Sequence, residues 1–203
     1  MHECTNAPMH GLLIAFEGLD QSGKQTQAEM LRDRLKQDGR KARVVSFPDY
    51  GSSIGEEIAR ALAGEREYEP DVMQLLYVAN RYERKADLKR WLEGGLILVC
   101  DRYAASSVAY GEAFGLDPAW LIEMQRFLPR PALTILLDIA PETAAARKSA
   151  DRDKYERDLA MLGRVRSSYQ RQASANQWVV LAGERPKDAI ATDVWAAVSP
   201  MVG

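Results

Sequence analysis

An apolar run, Leu12-Leu13-Ile14-Ala15-Phe16, is followed by Gly18, four further positions and then Gly23-Lys24, with helix-patterned sequence beyond. Few folds accommodate that order. A strand that turns through glycines into a helix aims consecutive backbone N–H groups inward at a polyphosphate, while the lysine neutralises the outer phosphates. The helix N-terminus adds its dipole. Gly18, Leu19, Asp20, Gln21, Ser22, Gly23, Lys24, Gln25 and Thr26 are therefore the candidate phosphate cradle. One position departs from the usual pattern, which places Ser or Thr directly after the lysine as a magnesium ligand. Gln25 stands there, with Thr26 one place later.

The remaining sequence alternates in a way that suits an α/β domain. Five apolar runs, 12–17, 42–47, 96–101, 133–138 and 178–181, have the character of buried parallel strands. Helical patterns separate them. Residues 25–38 carry Ala28, Leu31 and Leu35 on one face and stop at Gly39; Ser53 is expected to cap a short helix bearing Ile54, Ile58 and Leu62. One long helix is expected over 70–93, with Val72, Leu75, Leu76, Ala79 and Leu92 as its apolar stripe and the other side free for polar work. Further helices are expected over 118–127, 141–149 and 158–173. This order predicts a three-layer sandwich, a five-stranded parallel sheet flanked by helices with ligands at the carboxyl ends of the strands, plus a mobile lid segment at about 147–157. Residues 12–203 read as one domain. Residues 1–11 lack the basic start and long apolar stretch of a secretion signal and read as a loose extension.

Composition narrows the function classes. A formal charge of −2 argues against a general nucleic-acid or membrane-surface binder, so any anion site must be local. The apolar runs are far too short to span a bilayer. Cys4 and Cys100 lie far apart, which disfavours a disulfide framework and fits a reducing cytoplasm. Both histidines, His2 and His10, lie in the leader, so no nucleophilic triad can be assembled. Cys-x-x-Cys and His-Glu-x-x-His spacings are absent as well, leaving magnesium that arrives with a nucleotide as the expected metal.

Three strands end in polar residues at the edge where ligands should sit. The first runs into the phosphate loop, with Asp20 inside it; the second ends in Phe47-Pro48-Asp49-Tyr50-Gly51; the third ends in Asp101-Arg102-Tyr103. Asp101 has the position of a carboxylate that holds hydrated magnesium opposite a phosphate loop, and equally of a strand-end cap for the next helix. Tyr77, Arg81 and Arg84 share a helix face that is either solvated or turned to a ligand. Phe47 either ends a strand or stacks on a planar base. Arg147, Lys148, Arg152, Lys154 and Arg157 crowd the interval after the fourth strand, as mobile cations closing over phosphates would.

Gly-Leu-Asp-x-x-Gly-Lys-x-Thr-Gln, Phe-Pro-Asp-Tyr-Gly, Asn80-Arg81, Asp101-Arg102-Tyr103 with Ser106 and Tyr110, and Lys154-Tyr155-Glu156-Arg157 occur in that order. The set resembles thymidylate kinase. The resemblance implies transfer of the γ-phosphoryl of ATP to dTMP with magnesium, in dTTP biosynthesis, by a homodimer. It implies that residues 18–26 cradle ATP, with Lys24, Arg102, Asp20, Arg147 and Arg152 serving catalysis. Phe47, Pro48, Tyr77 and Arg81 would surround the base, with Ser107 and Tyr155 in the same substrate set. Arg102 would grip the acceptor phosphate, and Tyr110 would pack beneath the deoxyribose. Asp20, Asp101, Glu156 and Gln25 are the candidate metal ligands.

This chain departs from members that carry an arginine inside the phosphate loop. Gln21-Ser22 occupies that place, which moves the duty to the lid arginines. Competing readings are a deoxynucleoside kinase, for which Asp49 is the candidate base, a monophosphate kinase of other base preference, and a catalytically silent nucleotide-binding module. A guanine-nucleotide switch would need Asn-Lys-x-Asp, which the sequence lacks.

Overall fold

The computed structural model describes residues 11–147 and 158–203. Strands β1 (Leu13–Glu17), β2 (Ala42–Ser46), β3 (Ile97–Asp101), β4 (Leu133–Asp138) and β5 (Val179–Ala182) form one parallel sheet in the order β2-β3-β1-β4-β5. Their apolar runs are continuous because helices cover both faces. Alternation along β1 sends Ile14 and Phe16 into a cluster with helices α1 (Lys24–Gln37) and α9 (Lys187–Val202). Leu13 and Ala15 point the other way, toward Leu88, Cys100 and Tyr103. Register aligns the strand ends: Asp101 of β3 lies opposite Phe16 of β1 and Ser46 of β2, so the polar segments that follow meet at one edge.

The other helices are α2 (Ser53–Leu62), α3 (Pro70–Glu83), α4 (Lys85–Glu93), α5 (Ala104–Ala113), α6 (Pro118–Glu123), α7 (Pro141–Arg147) and α8 (Leu159–Asn176). The strands begin and end within a residue of expectation. The helices differ more widely: α5 and α9 answer to none of the expected helices, α8 runs on to Asn176 rather than ending at 173, and four other places depart. The single helix expected over 70–93 is two, broken at Arg84, whose guanidinium is drawn aside to the Asp49 carboxylate. Its expected stripe is also on the wrong side: Val72 and Leu75 are exposed, while Met73, Gln74, Val78, Asn80 and Arg81 are buried. Ser52, not Ser53, caps α2, its hydroxyl accepting from the Gly55 N–H at 3.1 Å. The helix after Asp117 stops at Glu123, where tighter bonds such as Gln125 N–H to the Ile122 carbonyl, 3.0 Å, replace the α pattern. Apart from Arg147, the expected lid lies outside the described residues.

Candidate active site

The turn between β1 and α1 needs its glycines for two different reasons. Gly18 has φ +142, and a Cβ there would sit 2.5 Å from the Leu137 carbonyl of β4. Gly23 has φ +95, in the left-handed region, and leads directly into Lys24, the first helical residue. Gln21 also has positive φ, 62°. The Lys24 ammonium folds back to donate to the Leu19 carbonyl at 2.7 Å. Burial, then the charge of Arg102, pushes it down to about 8, against the pull of Asp20, Asp101 and Glu17.

Arg102 is the hub of the site. It follows β3 with φ +64, an unusual backbone for a side-chain-bearing residue that the surrounding contacts must hold in place. Its Nη1 donates to the Gly18 carbonyl at 3.1 Å, the Ser106 hydroxyl at 3.1 Å and the Tyr169 hydroxyl at 3.2 Å. Its Nη2 donates to Asp20 Oδ1 at 2.6 Å, and Tyr110 donates to the other Asp20 oxygen at 3.0 Å. Burial alone would raise the Asp20 carboxyl, but Arg102 and Lys24 together hold it well below the usual carboxylate range. Phosphate loop, third strand and α5 therefore converge on one charged cluster.

Two members of this cluster are not legible in the sequence. Glu17, 0 % exposed at the end of β1, accepts from the Tyr103 N–H at 3.0 Å, the Ser106 hydroxyl at 2.6 Å and the Tyr169 hydroxyl at 3.3 Å. Tyr169 of α8 reaches both Ser106, at 2.8 Å, and Arg102. The one available signal was a carboxylate at a strand position that parallel sheets bury.

Beside the cluster opens a cleft lined by Asp20, Phe47, Pro48, Tyr77, Arg81, Arg102, Ser107 and Tyr110, which brings together the described members of the expected acceptor-binding set. Phe47 is held against the Tyr103 ring, centroids 5.7 Å apart. Asn80 clamps the backbone that follows: its Oδ1 accepts from the Asp49 N–H at 2.8 Å and its Nδ2 donates to the Asp49 carbonyl at 3.1 Å. Arg81 is buried and donates to the Ser107 hydroxyl. Burial pulls its guanidinium down to about 10, still charged at neutral pH.

Other expected residues lie elsewhere. Arg84 does not share the cleft with Tyr77 and Arg81; it pairs with Asp49. Asp49 accepts from Gly51 N–H with its second oxygen and is absent from the cleft lining, so it is not placed as a base for a sugar hydroxyl. Gln25 is exposed and donates to Glu29 at 3.1 Å. Arg147 donates to the Gln21 carbonyl and the Gly183 carbonyl, each at 3.0 Å, joining the phosphate loop to the turn after β5. Asp101 contributes its charge near Lys24. Arg152, Tyr155 and Glu156 lie outside the described residues. Among the described residues no group of three or more His, Cys, Asp or Glu could hold a metal by itself.

A phosphate loop at the switch point of a parallel sheet, a buried lysine, and an acceptor cleft walled by arginines define a P-loop nucleotide phosphotransferase. A thymidylate kinase family profile matches residues 16–194. The chain is 38% identical to thymidylate kinase of Schizosaccharomyces pombe over 79% of its length and 76% of that protein. It is 36% identical to the Thermomicrobium roseum enzyme of the same name, over 93% and 95% of the two chains, and 31% identical to that of Plasmodium falciparum, over 94% and 90%. The structure of thymidylate kinase from Candida albicans superposes with a TM-score of 0.80 at 25% identity, covering 94% of this chain and 92% of that one. The chain belongs to the thymidylate kinase family.

Proposed function

We propose that the chain transfers the γ-phosphoryl of ATP to dTMP, giving dTDP. The observation that carries this reading is the position of Arg102, which joins the phosphate loop through Gly18 and Asp20 and at the same time faces the acceptor cleft. A guanidinium there can grip an incoming phosphate in line with the donor held over Lys24. The acceptor is already a phosphate oxygen, so the site needs no strong general base. Its work is positioning and charge neutralisation. Tyr110, fixed by its bond to Asp20, closes the floor on which the deoxyribose would rest. Asp49, turned away to Arg84, offers nothing to a nucleoside hydroxyl, which favours the monophosphate as acceptor over the nucleoside.

Magnesium binds in such sites through one or two carboxylates, water and the phosphates themselves. Asp101 and Asp20, whose charges both act on Lys24, fit that sparse donor set, with Gln25 turned outward. The ion would neutralise charge on the transferring phosphoryl group. On the donor side, Arg147 is positioned by its two carbonyl contacts beside the phosphate loop, and Arg152, Tyr155 and Glu156 would complete the closure.

The same reading takes residues 12–203 as one kinase domain working in the cytoplasm as a homodimer. Support for the dimer is the exposure of Val72 and Leu75 on α3 and of Ile122 and Phe127 beyond α5. No helix among the described residues is long and apolar enough to cross a membrane. A coupled ADP-release assay comparing dTMP with thymidine, dUMP, UMP, CMP, AMP and GMP tests the activity. Preference for dTMP is expected; a clear preference for thymidine or for a purine monophosphate would overturn it.

A further inference from the structure

Between β2 and α2 the chain gives three residues to the lining of the acceptor cleft, Phe47, Pro48 and Tyr50, while α3 gives Tyr77 and Arg81. The sheet places Phe47: its N–H donates to the Asp101 carbonyl at 3.0 Å and its ring lies against Tyr103. Pro48 and Tyr50 come after β2 has ended at Ser46, so their positions need another support.

Asn80 supplies it by meeting both backbone groups of the residue between them. Its Oδ1 accepts from the Asp49 N–H at 2.8 Å and its Nδ2 donates to the Asp49 carbonyl at 3.1 Å, the exchange a neighbouring strand makes with a residue still in a sheet. The Nδ2 also donates to Ser52 Oγ at 2.9 Å, the hydroxyl that caps α2. Gly55, in the first turn of α2, closes the same peptide from the other side, since a Cβ there would come within 1.8 Å of the Asp49 carbonyl oxygen. Asn80 is 0 % exposed and lies behind the cleft wall, whereas its neighbour Arg81 reaches the lining. A short carboxamide brings acceptor and donor together; a carboxylate has no donor, and glutamine is one methylene longer.

We infer that Asn80 is a positioning residue for the acceptor nucleotide: by holding the Asp49 peptide against α3, it sets where Pro48 and Tyr50 stand relative to Tyr77 and Arg81. The Asp49 side chain does something else. Its carboxylate pairs with Arg84 and accepts from the Gly51 N–H at 3.0 Å, away from the cleft. The inference rests on the cleft taking the acceptor of the proposed reaction.

The test separates the clamp from the side chain beside it. Asn80→Ala removes both bonds to the Asp49 backbone. KM for dTMP should rise roughly 10- to 100-fold, with KM for ATP within about twofold, because misplacing one wall of a site by about 1 Å has effects of that order. A role confined to stability would instead lower the folded fraction, and with it the apparent kcat, leaving both KM values as they were. That result, with the folded fraction read from a thermal melt, would overturn the inference. Asp49→Ala takes away a partly exposed carboxylate and leaves the peptide that Asn80 grips, and it is the variant to rely on if Asn80→Ala does not fold. Its KM for dTMP should stay within about threefold of the parent; a rise of tenfold or more would assign the placement to the carboxylate and overturn the inference as well. In both contrary results the unmodified protein still phosphorylates dTMP, which separates them from failure of the assigned activity, where it would not use dTMP at all.

Discussion

Glu17→Gln tests whether Arg102, the residue proposed to grip the acceptor phosphate, is held from behind. The carboxylate is fully buried and takes hydrogen bonds from Tyr103 N–H, Ser106 and Tyr169, the last two of which also receive bonds from Arg102. The amide keeps one acceptor, but the bond it retains weakens from charged to neutral, and its new NH₂ faces hydroxyls already occupied. Taking bonds to a charged group at roughly 1.5–3 kcal/mol and neutral ones at about 1 kcal/mol, the substitution costs roughly 2–4 kcal/mol of stability. For a chain of this size that lowers Tm by about 5–10 °C in a thermal melt. Arg102 loses the fixed position of Ser106 and Tyr169, and a shift of a fraction of an ångström should lower kcat/KM for dTMP roughly 10- to 100-fold. KM for ATP, set by the loop and Lys24, should move much less. A melting temperature within about 1 °C of the parent, together with unchanged kcat/KM for dTMP, would refute the argument that this network positions Arg102.

Other consequences concern charge and assembly. Because Lys24 is pushed down to about 8 in the folded free protein, kcat/KM for ATP should fall above about pH 8; a profile flat to about pH 9.5 would contradict it. The sign for stability is opposite. The unfolded chain holds that proton more tightly, so the penalty of the buried charge is present below pH 8 and is relieved as pH rises toward the ordinary value, 10.5; Lys24→Met should flatten that slope in urea unfolding. Arg152→Ala should lower kcat far more than ATP affinity, and an unchanged rate would remove that residue from catalysis. Leu75→Glu, at a side chain 47 % exposed on α3, should yield monomers in sedimentation; a variant that sediments as the parent does would place the interface elsewhere.

The sheet was readable because buried parallel strands are short apolar runs, and the phosphate loop because its glycines answer steric demands that only glycine meets. That Phe47, Tyr77, Arg81 and Tyr110 would meet in one cleft was signalled only by the order of motifs. Helix α3 shows why periodicity failed there. Its inward face carries Gln74 and Arg81, which line the cleft, and Asn80, which clamps the Asp49 backbone, while Val72 and Leu75 face outward, so the apolar stripe marks a different surface from the core. The break at Arg84 has neither Gly nor Pro to announce it, and the Arg84 side chain there pairs with Asp49, thirty-five residues away in sequence. Asp49 itself, a candidate base on paper, is spent on that contact. Glu17 and Tyr169 each look like ordinary strand and helix residues until β1, α5 and α8 are brought together.

The most direct measurement is transfer of label from γ-labelled ATP in the presence of magnesium and dTMP, alone and in competition with thymidine, with products separated. The account requires label in dTDP, formed in step with ADP and abolished or reduced at least about 100-fold by Arg102→Lys, which keeps charge but loses the planar fork. Label released only as inorganic phosphate, or transferred to thymidine in preference to dTMP, would contradict it.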